Sequence, residues 1–134
     1  MFIDSSIFLE VFLKQEKSQE CKDFLQKVID GSIRCFTSYF NIDSILLVIQ
    51  NKTKDIKLME NFLLSLLAYS GLTIYFLTIE DRLKALEHSK KYNLDFEDSM
   101  MLQATLGSGN TKIISFDRHF DNLPVERLEP KDIV

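Results

Sequence analysis

The chain has 134 residues, 46% of them apolar and 27% charged, the composition of a globular domain whose core needs neither disulfides nor a structural metal. Its 16 Lys and Arg against 20 Asp and Glu leave a net charge of −4. That excludes a domain that coats nucleic acid by charge alone, but not a nuclease whose basic residues are local and whose acids are neutralised by metal.

A first strand is predicted over Met1–Ile3, ending at Asp4, where the apolar run meets Ser5 and Ser6. Either serine can cap a helix from about Ser6 to Leu13. A second helix is predicted over Ser18–Asp30, with Cys21, Phe24, Leu25, Val28 and Ile29 on one face and Gly31 as its left-handed C-terminal residue. Ile33–Thr37 reads as a strand. Thr37 and Ser38 supply caps for a helix over Tyr39–Gln50 that is apolar nearly all round and therefore deeply buried or packed on a partner. Asp43 is the only charge inside it, and a lone carboxylate in such a setting is costly unless it is paired, hydrogen-bonded or bound to metal. After a polar turn at Asn51–Asp55, a fourth helix is predicted over Ile56–Ser70.

The stretch from Phe62 to Ile79 carries no charge and is long enough to be weighed as a membrane span. The Ser70-Gly71 pair interrupts it, however, and the β-branched and aromatic residues that follow suit a buried strand over Leu72–Leu77. Thr78-Ile79-Glu80-Asp81 resembles a capping box and opens a helix to about Lys91, with Leu83, Ala85 and Leu86 facing inward. Asp95-Phe96-Glu97-Asp98 opens a helix to about Leu106, a turn spans Gly107–Asn110, and Lys112–Phe116 reads as a strand closed by Asp117. An extended piece over Val125–Leu128 completes the order. Alternating strands and helices without repeat or linker predict one domain over residues 1–134, a three-layer α/β/α architecture with a mostly parallel central sheet. Cys21 and Cys35, with no C-x-x-C spacing, are expected to be buried reduced thiols in a cytoplasmic protein.

Four carboxylates stand apart by their neighbours. Asp4 and Asp117 each end an apolar strand, Asp98 lies in the first turn of a helix, and Asp43 lies inside an apolar helix. Carboxylates gathered at one sheet edge repel, and Mg²⁺ or Mn²⁺, which take oxygen ligands, would hold them together. Each also has a structural reading. Asp4 can cap the first helix, Asp98 can answer a helix dipole beside the cap Asp95, and Asp117 can open a turn.

The segments Phe2-Ile3-Asp4-Ser5-Ser6-Ile7-Phe8-Leu9, Thr37-Ser38 with Asp43, Leu94-Asp95-Phe96-Glu97-Asp98-Ser99, and Ile113-Ile114-Ser115-Phe116-Asp117-Arg118-His119-Phe120 together resemble the PIN-domain family, the ribonuclease fold of VapC-type toxins. The resemblance implies a metal-dependent endoribonuclease that hydrolyses RNA phosphodiester bonds by a metal-activated water. It makes Asp4, Asp43, Asp98 and Asp117 the catalytic acids, with Asp4, Asp98 and Asp117 as ligands of Mg²⁺ or Mn²⁺. Asp43 would bind or orient a water, and Ser5 and Arg118 would meet substrate. It also implies a homodimer and a small antitoxin protein as partner. Two positions depart from the family pattern: Asp43 stands where Glu is usual, and Ser6 where Asn is common.

Lys14, Arg34, Lys112, Arg118 and His119 can meet RNA phosphates or can be plain surface charge. Asp121 is a candidate outer acid, whereas Asp95 and Glu97 are expected to face solvent. No phosphate-cradling Gly-rich loop, G-x-S-x-G elbow or zinc-type Cys/His cluster is present. A receiver-type phosphoacceptor would need two adjacent acids after the first strand, which the sequence lacks. The alternative to the enzyme is a catalytically inactive PIN-like module for RNA binding or assembly.

Overall fold

A computed structural model describes residues 1–133. Five strands, β1 (Phe2–Ile3), β2 (Cys35–Ser38), β3 (Leu72–Tyr75), β4 (Lys112–Ile114) and β5 (Glu126–Leu128), form one sheet in the order β3-β2-β1-β4-β5. Every pairing is parallel. Among the described residues the α-helices are α1 (Ser5–Phe12), α2 (Ser18–Ile29), α3 (Tyr39–Thr53), α4 (Ile56–Leu66), α5 (Ile79–Tyr92) and α6 (Phe96–Gly107).

Side chains alternate across a strand, and that alternation builds the layers. On β1 and β4, Ile3 and Ile114 point into a core shared with α1, α2, α3 and α4. Phe2 and Ile113 point to the other face, against Ala85 of α5 and Met100, Met101 and Ala104 of α6. All four strand residues are fully buried, as a parallel sheet covered on both faces requires. The result is the three-layer α/β/α arrangement. No helix among the described residues is long and apolar enough to cross a membrane. Cys21 and Cys35 are both buried and unpaired, and burial pushes their thiols up to about 12 and about 11.

Several boundaries differ from the sequence expectation. Helix α3 runs on through the expected polar turn to Thr53, closed by Lys54 in the left-handed conformation. Helix α4 stops at Leu66, four residues before Ser70, because Leu67, Ala68 and Tyr69 each bond back three residues in tight turns. That geometry packs Tyr69 edge-on against Phe8. Ser70 and Gly71 then donate to Ile29 and Val28 of the α2 end. A Cβ on Gly71 would lie 2.3 Å from the Ile33 carbonyl oxygen, so this crossing admits only glycine.

Leu83 and Leu86, expected inward, are exposed, and α5 packs through Ala85 and Asp81 instead. A polar network sets that rotation. Asp81 accepts from the Tyr75 hydroxyl at 2.9 Å, the Gln103 amide at 2.9 Å and the Thr78 N–H at 3.0 Å, completing a capping box with Thr78. Burial works to raise its pKa, but these bonds outweigh it and hold the carboxyl below its ordinary range. Asp81→Ala is expected to lower stability by about 2 kcal/mol at neutral pH. A carboxyl held low stabilises the fold above the unfolded pKa and loses that contribution as pH falls through the folded value. Denaturant melts should therefore show the wild-type advantage at pH 7 shrinking in strong acid.

Candidate functional site

Strand order reverses beside β1: β2 and β3 extend to one side, whereas β4 and β5 lie on the other. In parallel sheets the crevice beyond the strand carboxyl ends at such a reversal is where ligands bind. Asp4 follows β1 there, and Ser115 and Asp117 follow β4. The crevice holds a cleft of about 390 Å³ lined by Asp4, Ser5, Ser6, Leu9, Glu97, Asp98, Met101, Phe116 and Asp117.

Asp4 occupies the N-cap position of α1, yet its side chain caps nothing. The carboxylate accepts instead from the Ser115 hydroxyl at 2.7 Å and the Ser6 hydroxyl at 3.1 Å. Ser6, standing where Asn is common in the family pattern, thus still donates to the first acid. Burial pushes Asp4 up to about 6; the two hydroxyls and the Ser5 N–H pull against that rise, and Asp117 adds to it.

Asp98 sits at the third position of α6 and donates its own N–H to the cap Asp95. Its pKa is raised, first by burial and then by Asp117 and Asp95, with His119 opposing. Asp117 accepts the His119 N–H at 2.9 Å. The sequence reading gave no site role to the contact that ties these acids together. The Nδ1 atom of His119 lies 2.8 Å from Asp98 and 3.3 Å from Asp117, a group compact enough to hold a metal ion. The hydrogen bond to Asp98 and the nearby Asp117 charge raise the pKa of His119. No pattern in the sequence announces this contact, because Asp98 and His119 are 21 positions apart.

Glu97, expected to face solvent, is exposed but lines the cleft beside Asp98. Partial burial, Asp95, Asp98 and Asp117 all raise its pKa.

Asp43 does not join the cleft. Asn41 is the α3 residue that backs the cleft wall, donating to the Ser5 hydroxyl at 2.9 Å and reaching the Met101 sulfur. Two residues on, the helix has turned about 200°. Asp43 is accordingly exposed and lines a separate apolar groove with Tyr39, Ile42, Leu46, Leu63, Leu64 and Leu67.

Ser5 is buried at the head of α1, its hydroxyl held by Asn41. Arg118 lines an adjoining polar cleft with Tyr92, Asn93, Asp95, Asp98, His119 and Asp121. Asp121 in that cleft is paired with Arg127 at 2.8 Å. Of the other basic candidates, Lys14 follows the far end of α1. Arg34 and Lys112 lie at the opposite sheet edge, where Lys112 approaches Glu126 at 4.0 Å. A cation not singled out in the sequence lies closer: the Lys17 ammonium sits 4.3 Å from the ring centre of Phe116, a cleft residue.

The donor set suits a hard divalent cation. It offers carboxylate oxygens with hydroxyls behind them, in a cleft where burial, with like charge adding to it, has raised the pKa of each acid that shifts.

The fold and this cleft define a parallel α/β protein with an acidic site at the strand reversal. The profile of the PIN domain matches residues 1–126, and the chain belongs to the PIN domain family. Solved structures share the fold. VapC20 of Mycobacterium tuberculosis, a sarcin-ricin loop cleaving toxin, superposes with a TM-score of 0.70 at 12% identity, covering 87% of this chain and 88% of its own. A toxin–antitoxin complex from Klebsiella pneumoniae gives 0.73 at 13% identity over 96% of each chain. VapBC2 of Rickettsia felis, bound to a DNA fragment from its promoter, gives 0.73 at 10% identity over 96% of each chain. No curated protein matches the sequence.

Proposed function

We propose that this PIN-domain protein is a Mg²⁺- or Mn²⁺-dependent endoribonuclease, the toxin of a type II toxin–antitoxin pair. The observation that carries the reading is the gathering of Asp4, Asp98 and Asp117 in one cleft at the strand reversal of a PIN fold. These three would hold the ion, which when bound would supply Lewis-acid chemistry, activating water and stabilising charge at the phosphoryl group.

The chain's own residues do the rest. Ser115 and Ser6 fix the orientation of the Asp4 carboxylate. Asn41 holds the Ser5 hydroxyl at the cleft wall, where it can donate to a phosphate oxygen. Arg118, from the adjoining cleft, and Lys17, beside Phe116, supply local positive charge for the RNA backbone on an otherwise acidic surface. Two exposed apolar surfaces support protein partners, a small antitoxin and a second copy of the chain. One is the groove between α3 and α4, and the other is the outer stripe of α5 formed by Ile79, Leu83 and Leu86. The same fold in toxin–antitoxin complexes supports the antitoxin assignment. A cytoplasmic location follows from this function.

A second reading, an inactive RNA-binding or assembly module, is favoured by one observation: α3 brings no acid to the cleft. Incubating the purified, antitoxin-free chain with mixed-sequence single-stranded RNA separates the two. Cleavage that leaves 5′-phosphates, needs Mn²⁺ or Mg²⁺, stops with chelator and is lost in Asp117→Asn is the expected result. RNA left intact under all metal conditions would favour the inactive module.

A further inference from the structure

Helix α3 leaves a gap in the acidic site. On its cleft-facing side Asn41 is fully buried and spent on Ser5, Ser38 and Met101, and Ile45, the next residue round on that side, is fully buried and apolar. The only acid of α3 points the other way, into the groove with Leu63 and Leu64. Yet four carboxylates line the cleft, because Glu97 of α6 stands there with Asp4, Asp98 and Asp117.

Glu97 has no hydrogen-bond or ion-pair partner among the described residues, although every other acid of the cleft has one. Nor is it needed to cap its helix. Asp95 already accepts the Asp98 N–H as the cap of α6. An unpartnered carboxylate added to three others in one cleft raises a repulsion that a bound cation would relieve.

We propose that Glu97 is the fourth carboxylate of the divalent-cation site, supplied by α6 in place of an acid on α3. This rests on the metal-nuclease reading above and names a further residue of that site. Mg²⁺ keeps several waters when bound to protein carboxylates, so a longer side chain at the cleft rim can act through the ion's water shell as well as directly.

The test is calorimetric titration of the full chain with Mn²⁺, comparing wild type, Glu97→Gln and Asp43→Asn, with RNA cleavage measured at limiting and saturating Mn²⁺. Glu97→Gln is expected to weaken Mn²⁺ binding about tenfold or more and to lose cleavage at limiting metal, regaining most of it at saturation. Asp43→Asn should match wild type in both. Without metal, Glu97→Gln should melt at or above the wild-type temperature, since it removes repulsion and breaks no bond.

Unchanged Mn²⁺ affinity in Glu97→Gln overturns the proposal, as does an equal loss in Asp43→Asn or a lowered melting temperature that accounts for the defect. Metal-dependent cleavage with Glu97→Gln unaffected would overturn Glu97's role alone and leave the nuclease standing. A wild-type chain that neither binds Mn²⁺ nor cuts RNA would overturn both.

Discussion

Asp4→Asn is expected to abolish RNA cleavage and, in the same molecule, to stabilise the metal-free fold at neutral pH. Loss of a ligand to the proposed ion should cost cleavage at least about 100-fold. The stability gain comes from burial, which pushes Asp4 from an ordinary 3.8 up to about 6. A carboxyl whose folded pKa lies above its unfolded one favours the fold when protonated. That contribution is complete below about pH 4 and is lost as pH rises through 6. Above pH 6 the ionised group therefore costs the fold about 3 kcal/mol, from a rise of about two units at 1.36 kcal/mol each. Asparagine keeps an oxygen to accept from Ser115 and carries no charge. Melts with chelator should show Asp4→Asn more stable than wild type at pH 7.5 and level with it at pH 4. Added Mn²⁺ should then stabilise the wild type and leave the variant unmoved. Equal stability of the two at pH 7.5 would mean that Asp4 is solvated well enough to ionise without cost.

The largest effect on stability is expected from Phe62→Ala, at about 3–5 kcal/mol. Phe62 is the one fully buried residue of α4. Its ring meets Phe12 edge-on at 5.2 Å and Phe8 at 6.1 Å between centroids, a pair of contacts each worth something beyond area alone. Removing the ring takes the deepest contact of α4 and opens a cavity under α1, leaving only the partly buried Leu58, Met59 and Leu66 against the core. Denaturant titration measures the loss, and Phe62→Leu, which fills most of the space, should cost far less. Because α4 contributes nothing to the cleft, Phe62→Ala should still cut RNA at temperatures where it remains folded. It should, however, lose any partner that uses the α3–α4 groove.

The order of strands and helices was legible in the sequence, because short apolar-rich stretches alternate with helical periodicity and because Gly31, Thr78 and Asp95 punctuate them at the right places. The common edge of Asp4 and Asp117 was legible for the same reason: each directly follows an apolar strand, and a parallel sheet sends both strand ends to one side. The rotation of a helix about its axis was not legible. Asp43 looked like a site residue because it is the lone charge of the helix expected over Tyr39–Gln50, but the buried bonds of Asn41 set the helix face and turn Asp43 outward. Leu83 and Leu86 looked like core residues because they are leucines, but Asp81 and its partners Tyr75, Thr78 and Gln103 fix α5 with Ala85 inward. Glu97 looked like solvent charge, and only the position of α6 against β4 brings it over the cleft. In α3 and α5 a polar contact distant in sequence, through Asn41 and Asp81, set which helix face turned inward.

The central position of β1 also sets when the site comes into being. Asp4 is made long before the groups that hold it: its N–H donates to Ile114 and its carboxylate accepts from Ser115, 111 residues away. β1 can pair with β2 early, whereas its other neighbour, β4, begins only at Lys112. During synthesis, at roughly 5–20 residues per second, a nascent chain therefore spends several seconds with its first acid in place and no cleft around it. The cleft is therefore expected to close late, when residues 112–117 dock against β1, with only β5 left to complete the sheet.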